Sequence, residues 1–463
     1  MLDTDNALAA AGLSPAAIAE WQARTPKEAG DLATTSAATC AYFNRGEELL
    51  GRLPARPART AAEARAADVI SAELNEARAA FMRSNADEVY AELTDDLRRA
   101  VRDEDLVYAA AERFPGLVPS RAQMAAERAR PLREKEGIEI AQGLFLSFVL
   151  SSQRSGAHLV WSMLRPTEEA LARLDDFRAT GVADLGGTYL ERRGRAAHIE
   201  IRNDRHLNAE DCDTLPTTEV AVDLALLDPD VEVGVIRGAV VTHPRYAGRR
   251  VFGAGLNLTH LYHGRIDYMF FVTRDLGYVN KLFRGLSSDE HRPGEPEDTT
   301  EKLWVAAVET FAIGGACQIL HTVDHVIASR GARLYLPARK EGILPGASNL
   351  RLPRSVGDRL ARQAILSGLE FEAGTPHGDL LCDEVVDSSE EVDAAVAERV
   401  DALTSSGLVN AAGNRRALRV GSEPLDLFRQ YMATFCREQA YCHLSPALVR
   451  NLEEHWNAHE RRL

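Results

Sequence analysis

The spacing of apolar residues changes once along this chain, at Gly186-Gly187, and that switch constrains the fold more than any single motif. Upstream, apolar side chains recur every three or four residues through Ala61–Ala80, Val89–Val101 and Glu168–Phe177, the period of helices with one buried stripe. Pro115, Pro119 and Pro131 punctuate this half as helix boundaries. Downstream, the short runs Tyr189–Glu191, Ala197–Ile201, Val231–Arg237 and Arg250–Phe252 read as strands, alternating with helical stretches such as Thr217–Leu227. From Val356 the helical pattern returns, through Leu360–Leu369, Ser388–Ser405, Pro424–Ala440 and Pro446–Arg461. Ser287–Thr300, with two prolines and several charges, reads as an exposed loop. The expected fold is therefore α/β, with a helical N-terminal domain over 1–185, a strand–helix core over 186–375 and a C-terminal helical region over 376–463. A division is required in any case, because single cores stop growing at roughly 250–300 residues and this chain has 463, of which 45% are hydrophobic.

Charge narrows the partners. The 54 Lys and Arg against 69 Asp and Glu leave a formal net charge of −15, which argues against a nucleic-acid footprint or an anionic membrane surface. The six cysteines are scattered without a CxxC pair, so neither a disulfide framework nor a zinc site is expected. Met1 opens on an acidic, polar stretch with no apolar leader core, and the longest apolar run, Ile138–Leu150, is too short to span a bilayer. A cytoplasmic protein is the expectation.

Three segments carry chemistry. In Val251-Phe252-Gly253-Ala254-Gly255-Leu256-Asn257-Leu258 small residues let the backbone turn sharply and approach a ligand, exposing the Leu256 amide. In Trp304–Gln318 a β-like run ends at Gly314-Gly315-Ala316 and a helix follows, whose first amides are unpaired and lie at the positive end of the dipole. Two such donors converging from separate turns would hold a developing oxyanion. The third segment, Leu334–Arg354, contains Pro337, Gly342-Ile343-Leu344-Pro345-Gly346 and Leu350–Pro353.

In this order and spacing, from about Gly186 to Gly374, the three segments resemble the crotonase (enoyl-CoA hydratase/isomerase) superfamily. The resemblance implies a spiral of ββα units, trimeric or hexameric assembly, a coenzyme A thioester as substrate, and oxyanion donors on Leu256 and Gly315. It places Ala254, Gly255, Asn257 and Gly314 along the thioester. Two departures matter. Where hydratases carry catalytic glutamates, this chain has Gln318 and Ala338, neither of which can act as a general base. A core of this kind behind a long helical extension resembles the branch of cofactor-independent dioxygenases of glycopeptide-antibiotic biosynthesis. That branch turns 3,5-dihydroxyphenylacetyl-CoA and O2 into 3,5-dihydroxyphenylglyoxylate and free CoA.

An electron-rich aryl enolate reduces O2 directly, so the resemblance implies no cofactor and no metal. It requires a dry apolar pocket for O2, for which Leu258 and Ile343 are candidates, ordinary core packing being the alternative. Glu210, Arg274 and Gln318 are candidates for the ring hydroxyls. Arg274 follows the apolar run Met269–Val272, and an intramolecular ion pair is its alternative. Arg245 and Arg249, with Arg250, are candidates for the CoA phosphates, or else a solvated basic turn. His321, Asp324 and His325, following the GGACQ turn on its helix, are not read as a metal site, and Cys317 is read as core. A crotonase-type isomerase or thioesterase that uses no O2, and a non-catalytic acyl-CoA binder, remain as other readings.

Overall fold

The computed structural model describes residues 2–26, 32–288, 299–405 and 407–463. The chain forms two compact units: one comprises Met1–Leu159, Tyr262–Met269 and Met432–Pro446, the other Val160–Leu261, Phe270–Tyr431 and Ala447–Leu463.

The first unit is helical. Its longest element, Ala61–Leu93, opens on a capping box in which the Thr60 hydroxyl accepts from the Glu63 amide and the Glu63 carboxylate accepts from the Thr60 amide. Ala66, Ile70, Leu74, Phe81, Val89 and Tyr90 of this helix are buried. The periodicity over Val89–Val101 overruns the real end. Asp95, Asp96 and Leu97 take left-handed φ values of 51°, 53° and 64°, which no helix can propagate, so the chain turns after Leu93.

The second unit is built on a seven-stranded sheet. Val182–Asp184, Thr188–Arg193 and Ala196–Ile201 are antiparallel, after which Val233–Gly238, Leu303–Val308, His325–Ser329 and Glu384–Val386 are added in chain order, all parallel. Every residue of Val233–Gly238 and Leu303–Val308 is buried, as expected of central parallel strands covered on both faces. Gly234 is required opposite Trp304, since a Cβ there would lie 2.1 Å from the indole ring. A small second sheet joins Phe311–Ile313, Arg333–Tyr335 and Phe371–Glu372. Among the described residues no helix is long and apolar enough to cross a membrane.

Arg250–Phe252 does not form a strand. Val251 and Phe252 are fully buried, and Arg250 pairs with Val240 only as an isolated bridge, so the β-like composition reports burial rather than a ladder. Of the predicted loop Ser287–Thr300, residues 289–298 lie outside the described residues; the flanking Leu286–Ser287 and Thr299–Thr300 pair as a short antiparallel ribbon.

Candidate active site

Two backbone turns meet beside this sheet. Gly253 pairs with Ala312 in a parallel bridge, and Leu256 and Gly315 each follow three residues later on their own segment. Each is preceded by a glycine with positive φ, Gly255 at 78° and Gly314 at 56°, a conformation that L side chains adopt at a cost. A Cβ on Gly255 would stand 2.9 Å from the Gly315 nitrogen, so the turns touch through bare backbone. Gly315 opens the helix Gly315–Leu320, where the first amides have no intrahelical acceptor. Leu256 is bridged by Glu210 on both sides, through Glu210 N–H to Gly255 O at 2.6 Å and Asn257 N–H to Glu210 O at 2.8 Å. Neither the Leu256 nor the Gly315 amide has an acceptor among the described residues.

Over these turns lies a cavity of about 30 Å3, lined among others by Glu210, Leu256, Phe271, Arg274, Gln318 and Ile343. Small-molecule sites more often measure about 300–1,000 Å3, so an aryl group would enter only by displacing part of this lining. The polar side of the cavity is one connected network. Arg274, on the helix Tyr268–Leu276, donates from Nε to Glu210 Oε1 at 2.9 Å, from Nη1 to Gln318 Oε1 at 2.8 Å and from Nη2 to the Gly315 carbonyl at 2.8 Å. Tyr278 also donates to Glu210. Burial is the largest single influence on the Arg274 pKa and lowers it, but Glu210, Tyr278 and Asp275 together outweigh it and hold the guanidinium well above its ordinary value. With Gln318 Oε1 accepting from Arg274, its Nε2 is left as a donor beside the cavity.

The sequence candidates thus divide. Glu210, Leu256, Arg274, Gly314, Gly315, Gln318 and Ile343 converge on one cavity. Ala254, Gly255, Asn257 and Leu258 lie on the first turn and the helix after it, outside that lining. Asn257 accepts from the His260 amide and donates to Asp211, a helix-capping arrangement. Arg245 and Arg249 are exposed on the turn before Arg250, and Arg250 itself pairs with Glu200 at 2.5 Å. His321 and His325 do not share a helix: the helix ends at Leu320, and His325 opens a strand. Asp324 accepts from the Trp304 amide and from Arg415, both at 2.8 Å. No group of three His, Cys, Asp or Glu side chains placed for a metal occurs among the described residues. Burial pushes the Cys317 thiol up to about 12, which leaves it unreactive.

Sequence reasoning missed Asp275, Tyr278 and Glu341, and gave Gly346 only as part of the third segment. Asp275 accepts from the Ala347 amide at 3.1 Å, and a Cβ on Gly346 would fall 2.4 Å from Gln318 Oε1. Glu341 is 6% exposed, and its carboxylate has no hydrogen-bond or ion-pair partner among the described residues. Burial raises its pKa from 4.5 to about 7. The folded state therefore binds this proton more tightly than the unfolded one, so its contribution is intact below pH 4.5 and is lost as pH climbs towards 7. Glu341→Gln is expected to be more stable than wild type by up to about 3 kcal/mol at pH 8, at ~1.36 kcal/mol for each tenfold change in proton affinity, and level with it near pH 4.5. Urea unfolding at the two pH values checks this, and an advantage independent of pH would contradict it.

The chain belongs to the crotonase, or enoyl-CoA hydratase/isomerase, superfamily. The family described as enoyl-CoA hydratase/isomerase matches residues 296–432. More particularly, the chain is 48% identical over 397 residues to the (3,5-dihydroxyphenyl)acetyl-CoA 1,2-dioxygenase of Amycolatopsis orientalis, covering 86% of this chain and 90% of that protein. A short-chain-enoyl-CoA hydratase of Clostridium acetobutylicum is 28% identical over 242 residues, 52% of this chain and 84% of that one. The crystal structure of an enoyl-CoA hydratase/isomerase from Xanthobacter autotrophicus Py2 superposes at a TM-score of 0.49 with 20% identity, covering 59% of this chain and 95% of that one.

Proposed function

We propose that this chain is a cofactor-independent dioxygenase that converts 3,5-dihydroxyphenylacetyl-CoA and O2 to 3,5-dihydroxyphenylglyoxylate and CoA. The carrying observation is the pair of amides at Leu256 and Gly315, without acceptors and set beside the buried Glu210–Arg274–Gln318 network. Likeness to the Amycolatopsis orientalis enzyme supports the substrate.

The thioester oxygen sits between the two amides, which stabilise the enolate formed when the Cα–H is removed. Glu210 accepts one ring hydroxyl, and Gln318 and Arg274 hold the other. The enolate reduces O2 at Cα in the apolar part of the cavity by Ile343, with Leu258 behind the first turn, where exclusion of water slows reprotonation. The peroxide attacks the thioester carbon and expels CoA, and the resulting four-membered cyclic peroxide loses its remaining Cα proton as the O–O bond breaks, giving the 2-keto acid, so one O2 is consumed per thiol released. In this reading no metal or flavin takes part, because the substrate supplies the electrons. Ala254, Gly255, Asn257 and Gly314 border the acyl path, Arg245 and Arg249 meet the CoA phosphates, and the chain assembles as a trimer or hexamer. The sheet-containing unit is catalytic and the helical unit accessory, within an antibiotic-forming pathway.

Chelator-treated protein supplied with 3,5-dihydroxyphenylacetyl-CoA is expected to take up O2 and release free thiol in equal amounts. Thiol release without O2 uptake would make it a thioesterase, and silence in both would leave an acyl-CoA binder.

A further inference from the structure

Within the Glu210–Arg274–Gln318 network the one carboxylate is already taken up, by its neighbours here and by a ring hydroxyl in the function proposed above. Glu210 is held by Arg274 and Tyr278, and Gln318 is an amide. Three residues beyond Ala338, one turn along the short helix Ala338–Glu341, stands Glu341. Its neighbours Arg339 and Lys340 are exposed, whereas Glu341 turns inward and lines the cavity. Its Oε1 lies 3.9 Å from where a Cβ on Gly314 would be, directly beside the oxyanion turn. A carboxylate buried to this degree without a hydrogen-bond or ion-pair partner is costly and calls for a function.

We propose that Glu341 is the catalytic base that removes the Cα proton of the arylacetyl thioester; this rests on the function proposed above. The Cα–H bond breaks, an O–H bond forms on the Glu341 carboxylate, and the electron pair moves into the thioester carbonyl, whose oxygen becomes the anion facing Leu256 and Gly315. The step needs no oxidant, and O2 enters only afterwards. A base with a pKa of about 7 is partly ionised at neutral pH and still strong enough to act. Glu210, Arg274 and Asp275 line the same cavity, and Tyr335 is near enough for Glu341 to help raise its pKa, burial being the larger cause.

The test separates proton transfer from oxygen chemistry. Without O2, in D2O, the wild-type protein is expected to exchange the Cα hydrogens of saturating 3,5-dihydroxyphenylacetyl-CoA, followed by mass spectrometry. Glu341→Gln should bind the thioester as tightly yet exchange it at least about 100-fold more slowly, and lose O2 uptake in proportion. Wild-type exchange rates in Glu341→Gln would overturn the assignment. Should that variant not fold, Glu341→Asp decides by the same readout, slowed exchange supporting the proposal and unchanged exchange overturning it. Wild-type exchange without O2 uptake when air is admitted would overturn the dioxygenase reading alone, leaving the base to be judged on exchange. No exchange and no uptake by the wild type would overturn both.

Discussion

Gly315→Pro is expected to lower kcat by at least about 10²–10³-fold, the scale of losing one oxyanion donor. Proline is well tolerated at the first position of a helix, so the helix Gly315–Leu320 should still form. What disappears is an amide hydrogen that has no acceptor among the described residues and that, in the function proposed above, faces the thioester oxygen. The ring also intrudes where a Cβ would stand 2.3 Å from Glu210 Oε2 and 3.2 Å from Arg274 Nη2, so the polar network is displaced as well. Gly315→Ala separates the two effects, because it adds the Cβ and keeps the donor. Steady-state kinetics on both variants should show proline well below alanine. A Gly315→Pro enzyme within tenfold of wild type would remove this amide from the mechanism.

The second large effect is at Arg274. Arg274→Met is expected to cost about 3–5 kcal/mol of stability, the usual range when one partner of a buried ion pair is removed. Side-chain exposures of 4% for Arg274 and 7% for Glu210 leave little water to screen the orphaned carboxylate. Pairing the change with Glu210→Gln should recover much of that stability, since no buried charge then stands alone, and should leave activity lost. Chemical denaturation of the two single variants and the double variant measures the coupling directly. Additive losses would mean that the pair contributes nothing beyond its separate members.

The two glycine turns were legible because their signal is local: glycines before a helix start can be read from a few consecutive residues. Long central strands were legible for a similar reason, as unbroken apolar runs. Errors arose where burial and hydrogen bonding part company. Val251 and Phe252 look like a strand because both are buried, yet they cross the end of Val233–Gly238, where Gly238 has no room for a Cβ. The helical spacing through Val89–Val101 continued past Leu93 because apolar period is blind to three left-handed residues in a row. Glu341 was missed for the opposite reason. It ends the charged run Arg339-Lys340-Glu341, which in sequence resembles any solvated surface turn, and only the third member turns inward.

Arg274 joins segments that are 41, 44 and 64 residues away along the chain. A polypeptide emerging from the ribosome therefore displays Glu210 and the first turn long before the partners of the guanidinium exist. Until Gln318 has been synthesised, Arg274 has no companion on that side, and until Gly346 follows, the cavity lacks a wall. The site is thus completed only after six of the seven strands of its supporting sheet have been made, so its assembly is a late event in the synthesis of this unit.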